Sequence, residues 1–348
     1  MTTVAVTGAS GYVATRLIEV LVADPKIDRV LGFDVRPPGV FSPKFVFDQV
    51  DVRAPALEAR LDGVDTLFHL AFVMDPIHDE VEMRDINVNG SQNVLRAAGK
   101  AGVPKVIYTS SAVVYGAHPD NPVPLTEDAP LRANLDFSYA AHKLEVEYVV
   151  REFRAEYPQV TTTVFRPAIV FGPHVDNAWS HLMEIPVLFG VRGHQPPLQF
   201  VHEDDVAAAL AWAVHENLDG AFNLAAEGLI EAGEVLSLLG RRRVEVPEPV
   251  AFALLERLWG VGLAEAPAGL LHYVMHPWVV STAKLSEAGF TPSRSNLDTF
   301  SETADRVRGR VRVGNRSLRK DGLMASAAAA GLLGAVLTTR RVRRRRAA

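Results

Sequence analysis

Short apolar runs alternate with helix-periodic stretches through the first half of the chain, the pattern of a parallel sheet covered on both faces. The runs predict strands at Thr3 to Val6, Val30 to Phe33, Phe45 to Asp48, Thr66 to Ala71, Lys105 to Ser110 and Thr162 to Phe165. Between them the spacing predicts helices near residues 12–23, 54–61, 84–102 and 138–157. In the first helix Val13, Leu17, Val20 and Leu21 make one stripe that stops at Asp24-Pro25. Beyond Arg166 the rhythm loosens into Pro- and Gly-bearing segments, with a helix at Glu203 to His215 and a strand at Ala221 to Leu224. Leucines, Trp259 and Tyr273 at helical spacing within residues 248–275 read as lobe packing. The fold class is α/β, a doubly wound parallel sheet with a smaller C-terminal lobe.

Residues 7 to 14, Thr-Gly-Ala-Ser-Gly-Tyr-Val-Ala, join the first strand to the first helix. Gly8 can make the tight turn, Gly11 lets backbone approach a phosphate, and Ala14 lets the helix pack on the sheet. The helix then aims its first amides and positive dipole end at an anion. This is the setting of a dinucleotide pyrophosphate site in a Rossmann-type sheet, formed by Gly8, Ser10, Gly11, Tyr12 and Val13. Asp34 ends the second strand about 20 residues on, where an acid accepts from the adenosine ribose. That favours NAD over NADP, although Arg36 stands two residues later. Asp51 and Val52 follow the third strand and could flank adenine. Leu70 and Ala71 end the fourth, where small Ala71 lets the cofactor pass.

Composition fits a large core: 348 residues are 48% hydrophobic. The absence of cysteine excludes disulfides, Cys-ligated zinc, iron-sulfur clusters and thiol nucleophiles. Met1 runs at once into a strand, so no signal peptide is expected and a cytoplasmic enzyme is the default. The net charge of −5 hides thirteen Arg or Lys against two Asp in residues 305–348, which leaves about −16 for the rest. An acidic body argues against nucleic acid as a partner. The boundaries read as residues 1–165, a nucleotide domain completed by parts of 200–225; 166–304, mainly a substrate-binding lobe; 305–321, a basic linker; and 322–348, an apolar and polybasic tail. Gly322 to Thr339 is an eighteen-residue apolar run followed by an Arg-rich end, a candidate anchor to an anionic membrane surface. Its glycines and alanines make insertion marginal, and a solvated appendage reads equally well.

Tyr139-Ala-Ala-His-Lys143 sets a phenol and an ammonium four residues apart on one helix face. A phenol near pKa 10 is a poor base at neutral pH, and a nearby ammonium is expected to lower it. Lys143 could also hold the nicotinamide ribose. Upstream, Ser110-Ser111-Ala-Val-Val-Tyr115-Gly116 lies at a strand end, where a hydroxyl can bond a reacting oxygen. With these motifs the sequence resembles the extended short-chain dehydrogenase/reductase family, also called the NAD-dependent epimerase/dehydratase family. The resemblance runs from residue 2 to about 303 and includes Asn87-Val-Asn-Gly-Ser-Gln-Asn, Arg166-Pro-Ala-Ile-Val-Phe-Gly-Pro173, Phe200-Val-His-Glu-Asp-Asp205 and Ala221-Phe-Asn-Leu. It implies Tyr139 as general acid/base, Lys143 as activator and ribose ligand, Ser111 as donor to the substrate oxygen, and Pro167 near the cofactor. Asn87 is implied as a structural or water-ordering residue. His202, Asp204 and Asp205 are implied as helix-start residues that close the lobe, and no metal is expected. Family members often dimerise through a helix bundle that would include the Tyr139 helix, so the resemblance allows a homodimer here.

Departures from the family pattern narrow the reaction. Dehydratases carry Asp-Glu where this chain has Ala112 and Val113, so dehydration is not expected. Nucleotide-sugar epimerases carry an Asn and an Arg for the diphosphate where this chain has Ile169 and Leu198. Arg192 or His194 could compensate, and Phe72, Trp179 and Met183 suggest a less polar pocket. The main expectation is therefore an NAD-dependent oxidoreductase for a secondary alcohol or ketone on a fairly apolar, hydroxysteroid-like substrate, with Phe72, Ser111 and Arg192 facing it. The alternatives are an NAD-dependent sugar or nucleotide-sugar epimerase, and a non-catalytic NAD sensor.

Overall fold

The computed structural model describes residues 1–185, 187–308, 310–313 and 316–319. In chain order its first half contains β1 (Thr3–Thr7), α1 (Tyr12–Ala23), β2 (Arg29–Asp34), β3 (Phe45–Gln49), α2 (Leu57–Arg60), β4 (Thr66–His69), α3 (Glu80–Arg84), a π turn (Asp85–Asn89), α4 (Gly90–Lys100), β5 (Lys105–Thr109), a 3-10 turn (Ala112–Tyr115), α5 (Ser138–Glu156) and β6 (Thr161–Pro167). There follow β7 (Ile169–Phe171), α6 (Ala178–Glu184), β8 (Val187–Val191), β9 (Phe200–His202), α7 (Glu203–His215), β10 (Gly220–Leu224), α8 (Ala232–Leu239), β11 (Arg242–Val246), α9 (Glu248–Gly260), a second 3-10 turn (Ala268–Leu271), α10 (His272–Met275), α11 (Ala283–Glu287), α12 (Asn296–Arg308), and the hairpin strands β12 (Arg310–Val313) and β13 (Arg316–Arg319).

Seven strands form one parallel sheet in the order β3-β2-β1-β4-β5-β6-β10. The order reverses between β1 and β4, which opens a crevice at their carboxyl ends. The period-2 alternation of the strands builds both faces. Val4, Val6, Phe68, Ile107 and Phe165 pack on one face with Leu17, Ile18 and Leu21 of α1 and Val206 and Leu210 of α7. Ala5, Leu67, Val106, Tyr108 and Val164 pack on the other with Leu57, Val94, Leu95, Val146, Val150 and Phe153. Each such side chain, fully withdrawn from water, contributes roughly 2 kcal/mol of transfer free energy. This is the Rossmann-type, doubly wound sheet that the alternation of runs predicts.

A third cluster forms the lobe, where Phe171, Phe200 and Phe300 stack on one another beside Tyr273 and Trp278. Small side sheets pair β7 with β9 and β8 with β11. Residues from 200 onward also serve the first domain: β10 closes the central sheet and α7 packs on α1.

Several predicted elements differ in detail. The helix expected at 84–102 is interrupted by the π turn, where the Ser91 hydroxyl takes the Asn87 carbonyl. The helix expected at 54–61 shrinks to one turn, since Pro55 and the Ala54 amide bonded to Asp51 hold the chain in a turn before it. In α1, Val20 is exposed and Ile18 takes its place in the core. Residues 305–308, read as linker, continue α12 and bury Val307. The tail at 322–348 lies outside the described residues, and no helix among those described is long and apolar enough to cross a membrane.

Candidate active site

The crevice gathers the ends of β1, β2, β4, β5 and β6. Gly8 has φ +71, and a Cβ there would lie 2.6 Å from the Ala71 backbone. Only glycine lets the turn after β1 pass so close to the end of β4. Gly11 is the N-cap of α1 and brings no side chain to the first amides, and no acidic residue stands in the first turn. Those amides and the helix dipole therefore face the crevice without an internal anion. The Asp34 carboxylate accepts from the Ser10 amide and the Arg36 amide, both at 3.0 Å. The Ser10 hydroxyl donates to the Arg36 carbonyl. Asp34 thus ties the glycine turn to β2 with its second lone pairs left over for a diol. These features fit a dinucleotide: bare amides for the diphosphate and a carboxylate for the ribose.

Around this frame the other predicted cofactor residues have mixed surroundings. Tyr12 and Val13 are half-buried, and the Tyr12 hydroxyl reaches Met74 Sδ at 3.8 Å. Burial raises the Tyr12 phenol above its ordinary range. Asp51 is gripped by the Arg53 guanidinium at 2.7 Å, which lowers its carboxyl. Val52 is buried against Gly90, where a Cβ would come within 2.7 Å. Leu70 and Ala71 leave the sheet here: their amides turn to the Thr7 carbonyl and hydroxyl. Pro167 ends β6 and is buried.

The candidate catalytic side chains converge at the ends of β5 and α5. Ser111 caps the 3-10 turn by accepting from the Val113 amide at 3.3 Å. Tyr139 and Lys143 share one face of α5, as the four-residue spacing requires. Lys143 Nζ donates to the Thr109 carbonyl at 2.8 Å, lies 3.7 Å from the centre of the Phe72 ring, and lies 5.1 Å from that of Tyr108. Phe72 also meets Tyr139 edge-on, with ring centres 5.7 Å apart. Phe72 thus contacts both the Tyr139 ring and the Lys143 head.

That arrangement alters the expected electrostatics. Burial pushes the Tyr139 phenol up to about 12, opposed by the Ser111 hydroxyl and assisted by Asp75. Burial also brings Lys143 down from 10.5 to about 7, with Glu147 working against the fall. The expected lowering of Tyr139 by Lys143 is not present, because desolvation dominates and the Lys143 head is turned to Thr109 and Phe72.

Other expectations separate. Arg192 is exposed in the turn after β8, its amide bonded to Val246, and no described contact ties it to Tyr139. Ile169 and Leu198 are absorbed into the lobe core. Asn87 clamps the Val73 backbone, accepting from its amide at 2.7 Å and donating to its carbonyl at 3.0 Å. His202 caps α7, Asp204 pairs with Arg16 and Arg294, and Asp205 takes the amide and hydroxyl of Ser293.

Sequence reasoning passed over His69. Its ring is buried between Thr7 and Ser91, with 2.8 Å to each, and stacks on Tyr108. Burial, and then the Lys143 charge, bring it down to about 3, so it is neutral. It stiffens the wall behind Lys143. The signal was a histidine inside an apolar strand, which needs two partners when buried.

The comparisons agree with this frame. The model of the family described as NAD dependent epimerase/dehydratase matches residues 4–225. An uncharacterized protein of Mycobacterium tuberculosis is 28% identical over 309 residues, 86% of this chain and 82% of that one. The N-acetyl-alpha-D-glucosaminyl-diphospho-ditrans,octacis-undecaprenol 4-epimerase of Escherichia coli O157:H7 is 35% identical over 183 residues, 51% of this chain and 52% of that one. Among solved structures, the UDP-glucuronic acid 4-epimerase of Bacillus cereus in complex with NAD has the same fold, with TM-score 0.69 at 18% identity over 88% of this chain and 99% of that chain. The chain therefore belongs to the NAD-dependent epimerase/dehydratase family: it is an enzyme, and its cofactor is NAD.

Proposed function

We propose that the chain is an NAD-dependent epimerase that inverts a hydroxyl-bearing carbon of a carrier-linked sugar. The observation that carries the reading is the meeting of Ser111, Tyr139 and Lys143 at the carboxyl end of β5, in the crevice that the bare amides of α1 also face. The Escherichia coli relative, an epimerase by name, supports it over the apolar-alcohol expectation.

In this reading Gly8, Ser10, Gly11, Tyr12 and Val13 hold the NAD diphosphate, Asp34 the adenosine ribose, and Asp51 and Val52 the adenine. Leu70, Ala71, Pro167, Tyr139 and Lys143 enclose the nicotinamide end. Bound NAD supplies a reversible acceptor for hydride. Ser111 holds the substrate oxygen, and Tyr139 takes its proton during oxidation and gives it back during reduction. A phenol near 12 is fully protonated at neutral pH, so accepting a proton needs positive charge beside it. Lys143, four residues along on the same face of α5, is the residue that supplies that charge. Inversion follows when the transient ketone presents its other face before the hydrogen returns.

The carrier is the open part. With Ile169 and Leu198 in the lobe core, the diphosphate grip expected of nucleotide-sugar relatives is absent at those two positions. The substrate in the Escherichia coli relative's name is lipid-linked, and a lipid-linked sugar suits an apolar surround such as Phe72. The same observation favours a second reading, net oxidation of an apolar secondary alcohol. The full chain with added NAD is to be incubated separately with UDP-glucose, UDP-N-acetylglucosamine, N-acetylglucosaminyl-diphospho-undecaprenol and simple secondary alcohols, reading epimers by NMR and NADH by absorbance. Epimer without net NADH supports the proposal. Stoichiometric NADH from simple secondary alcohols, with no epimer from any sugar, replaces it with the second reading.

A further inference from the structure

Arg166 is a buried arginine whose guanidinium reaches three elements at once. Its Nε and one terminal nitrogen form a two-pronged pair with Glu147 of α5, at 2.9 and 3.0 Å, and both side chains are at most 7% exposed. The other terminal nitrogen donates to the Tyr115 hydroxyl at 2.8 Å and to the Glu127 carbonyl at 3.3 Å. Tyr115 in turn donates to Asn223 Oδ1 at 2.7 Å, on β10.

The placement of those partners gives the network a use. Tyr115 ends the 3-10 turn that Ser111 caps. Glu147 stands one turn beyond Lys143 and two beyond Tyr139 on the same face of α5. One guanidinium therefore joins the element carrying Ser111 to the helix carrying Tyr139 and Lys143. We propose that Arg166 and Glu147 are the positioning pair of the site, fixing the Ser111 turn against α5 and presenting a carboxylate one turn behind the Lys143 ammonium. A buried ion pair is poor evidence of net stability, since two apolar residues of similar volume commonly serve as well. A fixed geometry and a fixed charge next to Lys143 are what an apolar pair could not supply. Of the charges near Lys143, Glu147 is the one that favours its protonated form.

The inference rests on Lys143 as a cofactor residue, and the test separates the two. NADH is titrated by fluorescence against the full chain, Glu147→Gln, Lys143→Met and the two combined, across pH 6 to 9. Removing Glu147's charge is expected to shift the pH at which NADH affinity falls down by about one unit, roughly tenfold weaker binding near neutral pH. In the Lys143→Met background the same substitution is expected to change nothing. An equal, pH-independent loss in both backgrounds means a merely structural pair and overturns the proposal. Lys143→Met binding NADH like the natural chain overturns the Lys143 assignment, and the proposal with it. If Glu147→Gln does not fold, Glu147→Met combined with Arg166→Met removes the pair without stranding a charge. That variant is expected to fold and to shift the profile in the same direction by less, because the Arg166 charge leaves with the Glu147 carboxylate, and an unmoved profile refutes the proposal.

Discussion

Replacing Lys143 by Met isolates the consequence of keeping an ammonium inside the protein. Its head is enclosed by the Phe72 and Tyr108 rings and makes one hydrogen bond, to the Thr109 carbonyl. Burial brings it from 10.5 to about 7. The unfolded chain keeps this proton up to the ordinary value, whereas the folded chain releases it near neutrality. Between those values the unfolded state binds more protons, so the natural protein gains stability as pH rises. Methionine has no such dependence. From the two values, the natural protein gains about 3 kcal/mol on the variant between pH 6 and pH 9. The Thr109 bond and the packing around the side chain enter equally at each pH and cancel in the comparison. Urea unfolding of both proteins at pH 6, 7.5 and 9 measures the gap. Lys143→Met is expected to compare best at pH 6 and to lose that standing by pH 9. A gap that does not change with pH would show an ordinary ammonium and refute the burial argument.

Four further outcomes follow from the geometry. Gly8→Ala puts a Cβ against the Ala71 backbone at positive φ and is expected to lose about 2–4 kcal/mol together with NADH binding. Gly63→Ala, also at φ +71 but in open space, is expected to lose only about 1 kcal/mol by the same urea assay. Asn87→Ala frees the Val73 amide and carbonyl, at a cost of about 1–3 kcal/mol, and should speed hydrogen exchange at Val73; unchanged protection there would disprove the clamp. Tyr139→Phe should bind NADH within a few-fold of the natural chain while hydride transfer to or from the sugar falls by at least about a hundredfold, and retained turnover would remove Tyr139 from its role.

The sheet was legible because its strands are short apolar runs and its helices carry one apolar face, periodicities that burial alone enforces. The 3.6-residue period alone places Tyr139 and Lys143 on one side of α5. What periodicity cannot carry is desolvation. The charge states of Tyr139 and Lys143 depend on Phe72, which is 67 residues from Tyr139 in sequence and touches both. Glu147 was in reach of the same helical spacing, at the fourth residue past Lys143. Its partner Arg166 was not, because only β6 packing beside α5 brings the two together. For Arg192 the sequence offered only proximity to the lobe motifs, and the structure adds that it is exposed in the turn after β8 with its amide bonded to Val246.

Central to the proposed function is that hydride leaves one sugar carbon and returns to it while Tyr139 handles the proton. A sugar substrate found in the epimer screen, carrying deuterium at the carbon that inverts, tests it in ordinary water. The expected result is an inverted product that keeps its deuterium, with no net NADH and no product from Tyr139→Phe. An inverted product whose deuterium has exchanged for solvent hydrogen would contradict it.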